Sequence, residues 1–208
     1  MGAKRSGDGG GLISEADLFK LLRVSEDAVL IGGQAVAFWV AYFRLPIPPG
    51  PRTYVSHEAD FLGFSRLKTD AVRKKAVQIS DPKDPSFKFK VMHPIDCMVS
   101  RFENLRTLSE KRNEIGVWQA RISIDVCRAY IEVLIAAGDE REAIRAATGV
   151  LEAAGATPGL QAFRKYGLDL LDGIPTERFT SISFKTQQYA RTAARIRMLR
   201  EAFQSPAK

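Results

Sequence analysis

Glu58 and Asp60 are the residues of this sequence whose types and spacing best suit metal chemistry. They lie in YVSHEADFLG, residues 54 to 63, a stretch of β character with turn signals on either side. Residues two apart on a strand point to the same face, which would bring the two carboxylates close together. Like charges so close are costly unless a cation lies between them, and Mg²⁺ or Mn²⁺ is the natural cation for carboxylate oxygens. An exposed strand could carry the same pair by chance, so this spacing alone leaves both interpretations open.

The glycine pair Gly32-Gly33 is the second candidate feature. It lies in VLIGGQAVAFWVAYF, between a buried strand predicted at 27 to 31 and a buried helix predicted at 34 to 43. A strand that turns sharply into a helix often needs glycine for its dihedral angles, which is a purely structural explanation. The functional alternative is that bare backbone at a helix N-terminus leaves N–H groups for a phosphate.

Taken together, these motifs follow the order strand, Gly-Gly, helix, proline-rich loop and Ser56-x-Glu58-x-Asp60 on a second strand. This order resembles the nucleotidyltransferase superfamily, and most of all its AbiEii-like and related bacterial members, some of which are toxins of toxin–antitoxin pairs. The stretches ADFLG and HPIDCMVSRFENL add to the resemblance, which covers roughly residues 27 to 130.

The resemblance implies a function and a set of site residues. Gly32 and Gly33 would cradle the β- and γ-phosphates of a nucleoside triphosphate, and Ser56 would support the loop or contact a phosphate. Glu58 and Asp60 would be catalytic and would hold Mg²⁺ or Mn²⁺ for transfer of a nucleoside monophosphate to an RNA or protein acceptor. Arg101, where relatives often have lysine, would clamp the triphosphate.

The chain departs from the family pattern at the acids. The first ligand is glutamate instead of the commoner aspartate, and family members place a third acid on a neighbouring strand. Here the strand around Phe87 presents Lys88 and Lys90 instead. The other aspartates of this region lie in predicted helix, proline-turn or helix-start contexts: Asp70, Asp81, Asp84 and Asp96. The alternative hypothesis is therefore a catalytically impaired member of the fold that binds nucleotide, RNA or a protein partner.

The histidines and cysteines favour structural roles. His57 would point to the opposite strand face from Glu58, and His93 precedes Pro94, where it would cap or pack a helix start. Cys97 and Cys127 lie in amphipathic helical segments and are predicted to be free, buried thiols of a reducing compartment. Neither a zinc site nor a disulfide framework is indicated.

The chain is basic, with a formal net charge of +7 over 208 residues. Residues 66 to 90 hold eight Lys or Arg against three Asp, and residues 173 to 208 hold seven against two acids, so each stretch carries +5. Such stretches are either solvated helix faces or surfaces for a polyanion such as RNA.

The hydrophobic patterns predict an α+β fold, in which a small nucleotidyltransferase-like mixed sheet with flanking helices precedes an all-helical C-terminal half. The predicted divisions are a flexible tail at 1–12, an α/β domain at 13–110 and a helical domain at 111–208. Residues 28 to 43 are apolar except for Gln34 but fall short of the roughly 20 residues that span a bilayer, so we expect a cytoplasmic protein that does not enter a membrane. Helices are predicted at about 94–108, 112–137, 140–154, 158–171 and 184–203. These patterns specify neither the base preference nor the oligomeric state.

Overall fold

The computed structural model describes residues 29–47, 68–81 and 84–204. Their three strands form one sheet in the order β1-β3-β2, with β1 at Val29–Leu30, β2 at Val77–Asp81 and β3 at Asp84–Val91. β1 runs parallel to β3 and β2 runs antiparallel to it, so the sheet is mixed. The predicted tail at 1–12 and the predicted strand at 54–63 lie outside the described residues.

Helices make up most of the described chain, and together with the small sheet they confirm the α+β class. The α-helices are α1 at Gly32–Tyr42, α2 at Lys68–Lys75, α3 at Pro94–Thr107, α4 at Glu114–Ala136, α5 at Glu140–Gly155, α6 at Thr157–Tyr166 and α7 at Ala190–Gln204. A π-helical segment, Phe184–Tyr189, leads directly into α7. In the described residues, no helix is long and apolar enough to cross a membrane.

Strand β3 follows the alternation that its sequence predicts. Phe89 and Val91 are buried and Phe87 is half-buried, while Lys88 is exposed. One face of the central strand therefore packs against helices and the other faces solvent. The aromatic side chains of α1 cover the apolar face, where the rings of Phe38 and Phe89 meet edge to face at 5.5 Å.

Helix α4 lies between two hydrophobic clusters. Trp118, Ile122 and Val126 recur every fourth residue and pack with the sheet and α1. Other buried residues of the same helix, including Ile124 and Ile131, pack into the cluster of the C-terminal helices. Helix α3 also contributes to both clusters, so the two halves of the chain share these helices. The division at residue 110 stays a prediction.

Helix α6 ends earlier than the sequence predicted. The apolar periodicity suggested a helix to residue 171, but α6 stops at Tyr166 because Gly167 adopts φ 64°, a left-handed helix cap. After this bend, Leu168 and Leu170 are buried in the C-terminal cluster. Leu168 and Leu170 extend the apolar pattern of the sequence beyond residue 166 because the segment after the helix is buried, not because the helix continues.

Gly116 is a position where the fold requires glycine. It lies in the first turn of α4, where its N–H donates to Asn113 Oδ1 at 2.8 Å. A Cβ at this position would lie 1.9 Å from the carbonyl oxygen of Lys111. No side chain fits there unless the backbone before α4 moves.

We expect Gly116→Ala to destabilise the protein by about 2 kcal/mol, because relief of the overlap requires a backbone shift. Gly155→Ala is the matched control. Gly155 lies in α5, and a Cβ added there would be 3.5 Å from Ile196 Cγ1, an ordinary van der Waals distance. That substitution should be neutral or stabilise the protein by a few tenths of a kcal/mol. Urea denaturation of both variants measures the difference, and equal stabilities would contradict this account of Gly116.

Candidate functional site

The bend between β1 and α1 is built from Ile31, Gly32 and Gly33. Ile31 is extended and is the N-cap residue of α1, whereas Gly32 has φ 69°, a conformation that side chains disfavour. Both glycines are buried. The first N–H groups of a helix have no acceptor within the helix, and the isoleucine side chain supplies none. The backbone chemistry of this bend therefore suits an anion.

The parallel pairing of β1 and β3 brings two helix starts to one edge of the sheet. Leu30 pairs with Val91, and Met92 N–H donates to Leu30 O at 2.9 Å. Helix α1 leaves this edge after β1, and α3 leaves it after β3. The carboxyl ends of parallel strands are where open sheets with helical connections commonly bind ligands. We call this edge, with the bend at Gly32-Gly33 and the start of α3 at Pro94, the carboxyl edge.

Trp39 fixes the position of α1 against this edge. Its side chain is fully buried, and Nε1 donates to Met92 O at 2.9 Å. The indole therefore links the first helix to the residue that follows β3. Such a buried hydrogen bond to the backbone holds the bend and the start of α3 in a fixed relation.

Charged groups also lie at the carboxyl edge. Asp96, in the first turn of α3, lies 3.7 Å from Lys75 Nζ at the end of α2. The sequence predicted Asp96 as a helix-start residue, and its position in the first turn confirms this. The pairing with Lys75 was not predicted, because nothing in the sequence shows that the end of α2 meets the start of α3.

His93 caps α3, as predicted. Its Nδ1 accepts from Ile95 N–H at 3.2 Å, so we assign the ring proton to Nε2, which donates to Tyr130 Oη at 3.1 Å. Burial lowers the pKa of His93, the charges of Asp96 and Glu142 oppose this effect, and Lys75 adds to it. The imidazole is therefore neutral at pH 7 and serves a structural purpose.

Arg101 lies on α3, seven residues after Pro94, which places its Cα about 10 Å along the helix from the carboxyl edge. Its Nη1 lies 3.4 Å from Gln119 Oε1 on α4, and its Nη2 lies 3.4 Å from Ser100 Oγ. The guanidinium is thus held between α3 and α4. Its predicted contact with a triphosphate stays a prediction.

Ser56, Glu58 and Asp60 lie outside the described residues, so their predicted proximity to Gly32 and Gly33 stays a prediction. In the described ranges, no group of three or more His, Cys, Asp or Glu side chains could hold a metal ion. Asp81 and Asp84 lie in paired strand ends, not in a proline turn alone as the sequence suggested. Asp84 begins β3 and is about 24 Å from Val91 at the carboxyl edge.

Cys97 and Cys127 are free and fully buried, as predicted. Burial raises the pKa of the Cys97 thiol to about 12, against a smaller opposing effect of Arg101. Burial likewise raises the pKa of Cys127. Both thiols are protonated at neutral pH, so neither is an activated nucleophile.

Arg200 is a residue whose position the sequence did not reveal. It lies in the basic stretch at 173 to 208, whose charges favour either solvated helix faces or a surface for a polyanion, but only 7% of its side chain is exposed. Its guanidinium grips Asp169 through two hydrogen bonds of 2.5 and 2.7 Å and lies 3.9 Å from the Phe163 ring centroid. Arg191 and Arg195 on the same helix are exposed.

Comparison of the chain with known proteins finds no matching family model, no matching curated protein and no matching solved structure.

Proposed function

We propose that this protein is a nucleotidyltransferase-like protein that binds a nucleoside triphosphate at the carboxyl edge. With Mg²⁺ or Mn²⁺, it would transfer the nucleoside monophosphate to an RNA or protein acceptor, and a toxin-type activity fits this chemistry. The observation that carries the proposal is the bend at Gly32, where a left-handed glycine turns the end of a parallel strand into a helix N-terminus.

The bend supports phosphate binding for two physical reasons. The partial positive charge at the start of α1 attracts anions, and the two glycines, although buried, add no side chain of their own between a phosphate and the N–H groups. The parallel strands place the start of α3 at the same edge, which adds a second partial positive charge.

Glu58 and Asp60 supply the carboxylate oxygens that a hard divalent ion prefers. When bound, the ion would neutralise charge on the phosphates and lower the pKa of the acceptor hydroxyl. The protein's own residues would orient the triphosphate: the glycine backbone holds its terminal phosphates, Ser56 supports the loop, and Arg101 provides positive charge.

A second candidate function is nucleotide, RNA or protein binding without efficient catalysis. The position of Asp84 favours it, since this carboxylate begins β3 at the end remote from the carboxyl edge. The residues that alternate with the buried face of β3 are Lys88 and Lys90, not acids. At these two positions β3 therefore offers no carboxylate that would complete a three-carboxylate site.

A transfer assay tests the proposed activity. The full chain is incubated with each of the four labelled nucleoside triphosphates, Mg²⁺ and either total RNA or a protein extract. We expect label to appear on an acceptor only in the presence of the divalent ion. Binding of nucleotide without any metal-dependent labelling would favour the second candidate.

Substitution of Gly32 tests the phosphate contact directly. We expect Gly32→Ala to cost about 1 to 2 kcal/mol of stability, because alanine is strained at positive φ, and to weaken nucleoside triphosphate binding about tenfold, because it places a methyl group beside the proposed phosphate contact. Gly167→Ala is the matched control, since Gly167 has φ 64° and a Cβ added there would have no heavy atom within 4 Å.

Calorimetric titration with a non-hydrolysable triphosphate measures the two affinities. The control should lose comparable stability while it keeps wild-type affinity. Equal affinities of the Gly32 and Gly167 variants would show that the bend does not contact the phosphates.

A further inference from the structure

A basic cavity lies between the end of α3 and helix α6. Its volume is about 190 Å³, and its lining includes three cationic side chains, Arg106, Arg112 and Lys165, together with the amide of Gln161. The described residues that line it include no aspartate or glutamate. Like charges that converge on one cavity repel one another, and an anion between them would relieve the repulsion.

Arg112 is held in position by the backbone at the end of α3. Its Nε donates to Leu105 O at 3.0 Å and its Nη2 donates to Arg106 O at 2.6 Å. These two bonds fix the plane of the guanidinium and leave the N–H groups of Nη1 for another acceptor. A guanidinium held in this way suits the oxygens of a phosphate, because little side-chain freedom is lost on binding.

The other two cations differ in how far they are neutralised. Arg106 forms a hydrogen-bonded ion pair with Glu103, which partly neutralises its positive charge. Lys165 is exposed, and neither it nor Arg112 forms an ion pair with any carboxylate in the described ranges. The cavity therefore has a net positive charge that comes chiefly from Arg112 and Lys165.

The size of the cavity sets the size of the ligand group. Pockets for whole small molecules usually measure about 300 to 1,000 Å³, whereas a water molecule occupies about 30 Å³ in the liquid. At about 190 Å³ the cavity fits one phosphate group with a few waters, not a complete nucleotide.

We propose that this cavity binds a phosphate group at a site separate from the carboxyl edge. The phosphate comes either from the backbone of a single-stranded polynucleotide or from free inorganic phosphate. Arg112 and Lys165 supply the charge, Arg106 and Gln161 supply further hydrogen-bond donors, and the site does not depend on the proposed nucleotidyl transfer.

The positions of Arg106 and Lys165 also have a purely structural explanation, and the test must distinguish it from phosphate binding. Arg106 lies in the last turn of α3 and Lys165 in the last turn of α6, where positive charge stabilises a helix end. In that case their removal lowers stability but leaves anion binding unchanged.

The test compares two variants that each lose two positive charges. Arg106→Ala/Lys165→Ala removes charge from the cavity and leaves the Arg112 hydrogen bonds to the backbone in place. Arg141→Ala/Arg191→Ala removes two exposed arginines that do not line it. Binding is measured by fluorescence anisotropy with fluorescein-labelled 12-nucleotide oligouridylate and oligodeoxythymidylate, and by calorimetry with sodium phosphate against sodium chloride. Thermal unfolding of each variant confirms that it is folded.

For a polynucleotide ligand, we expect the cavity variant to bind the oligonucleotides on the order of tenfold more weakly than the control variant. The slope of log affinity against log salt should become shallower by about 0.7, the value for one lost phosphate contact on a single strand. Equal loss for both oligonucleotides indicates the shared phosphodiester, and a loss confined to sodium phosphate indicates the free anion. Equal affinities of the two variants for every probe, including absence of binding in both, overturn the proposal.

Discussion

Glu58→Ala/Asp60→Ala should lower the rate of metal-dependent nucleotidyl transfer by more than about 100-fold, because it removes both proposed carboxylate ligands of the divalent ion. The loss should appear with every nucleoside triphosphate that the wild-type protein uses. Labelling of RNA or protein at saturating Mg²⁺ measures it, with stability checked by thermal unfolding.

The matched control is Glu110→Ala/Glu152→Ala, which removes two exposed carboxylates from the helical part of the chain. This control should keep the wild-type rate. If the Glu58/Asp60 variant also keeps that rate and its dependence on Mg²⁺, the two acids are not metal ligands and the label transfer has another source. If nucleotide or RNA binding persists in a wild-type protein that transfers no label, the binding-module hypothesis is favoured instead.

Asp169→Asn should destabilise the protein by about 3 kcal/mol at pH 7, because it leaves the buried Arg200 guanidinium without a counter-charge. Burial alone would raise the pKa of Asp169. Hydrogen bonds from Arg200 and from Leu171 N–H, together with the charges of Arg200 and Arg197, outweigh that effect and lower the pKa below 3.8. Asparagine keeps an oxygen for Leu171, but its NH2 group cannot accept the hydrogen bond that Arg200 Nη1 donates to Asp169 Oδ2, so the variant loses the charge together with one hydrogen bond.

The lowered pKa fixes the direction of the pH dependence. Because the folded protein holds this carboxyl ionised more strongly than the unfolded chain does, its contribution is complete above the unfolded pKa of about 3.8 and is lost as pH falls through the folded value. The stability difference between wild type and Asp169→Asn should therefore stay constant from pH 7 to about pH 5 and shrink below pH 4. Urea denaturation across this range measures it.

Asp125→Asn is the control of opposite sign. Burial raises the pKa of Asp125, an effect that Arg121 and Arg128 oppose and Asp172 supports. Ionisation of this carboxyl therefore costs stability as pH rises above 3.8, so its replacement should be neutral or stabilising at pH 7. A destabilisation by Asp125→Asn equal to that by Asp169→Asn would contradict the specific pairing of Asp169 with Arg200.

Local chemical signals predicted much of the fold. Alternation of Phe87, Phe89 and Val91 with lysines specified β3, because a half-buried strand has a period of two. Pro94 and Asp96 marked the start of α3, since proline suits the first turn and a carboxylate suits its positive end. The two glycines between apolar runs likewise specified the turn from β1 into α1, which the structure contains.

Contacts between residues that are far apart in the chain could not be predicted from the sequence. Asp169 and Arg200 are 31 residues apart, and only the packing of α7 against the segment after α6 brings them together. The sequence of helix α4 predicts an amphipathic helix with one buried face. In the structure two sides of the helix are buried, because both hydrophobic clusters pack against it. At the candidate site, the sequence predicted the glycine bend but not the meeting of Lys75 with Asp96, which depends on the antiparallel pairing of β2 with β3.

The central claim is that a polyphosphate bound at the Gly32-Gly33 bend shares a divalent ion with Glu58 and Asp60. A crystal structure of the protein with a non-hydrolysable nucleoside triphosphate and Mn²⁺ tests it most directly, because the anomalous signal locates the ion. We expect the ion about 2.2 Å from carboxylate oxygens of both acids, and a phosphate oxygen about 2.9 Å from an amide nitrogen of the bend. Triphosphate and Mn²⁺ bound away from the carboxyl edge, or Glu58 and Asp60 directed away from it, would contradict the claim.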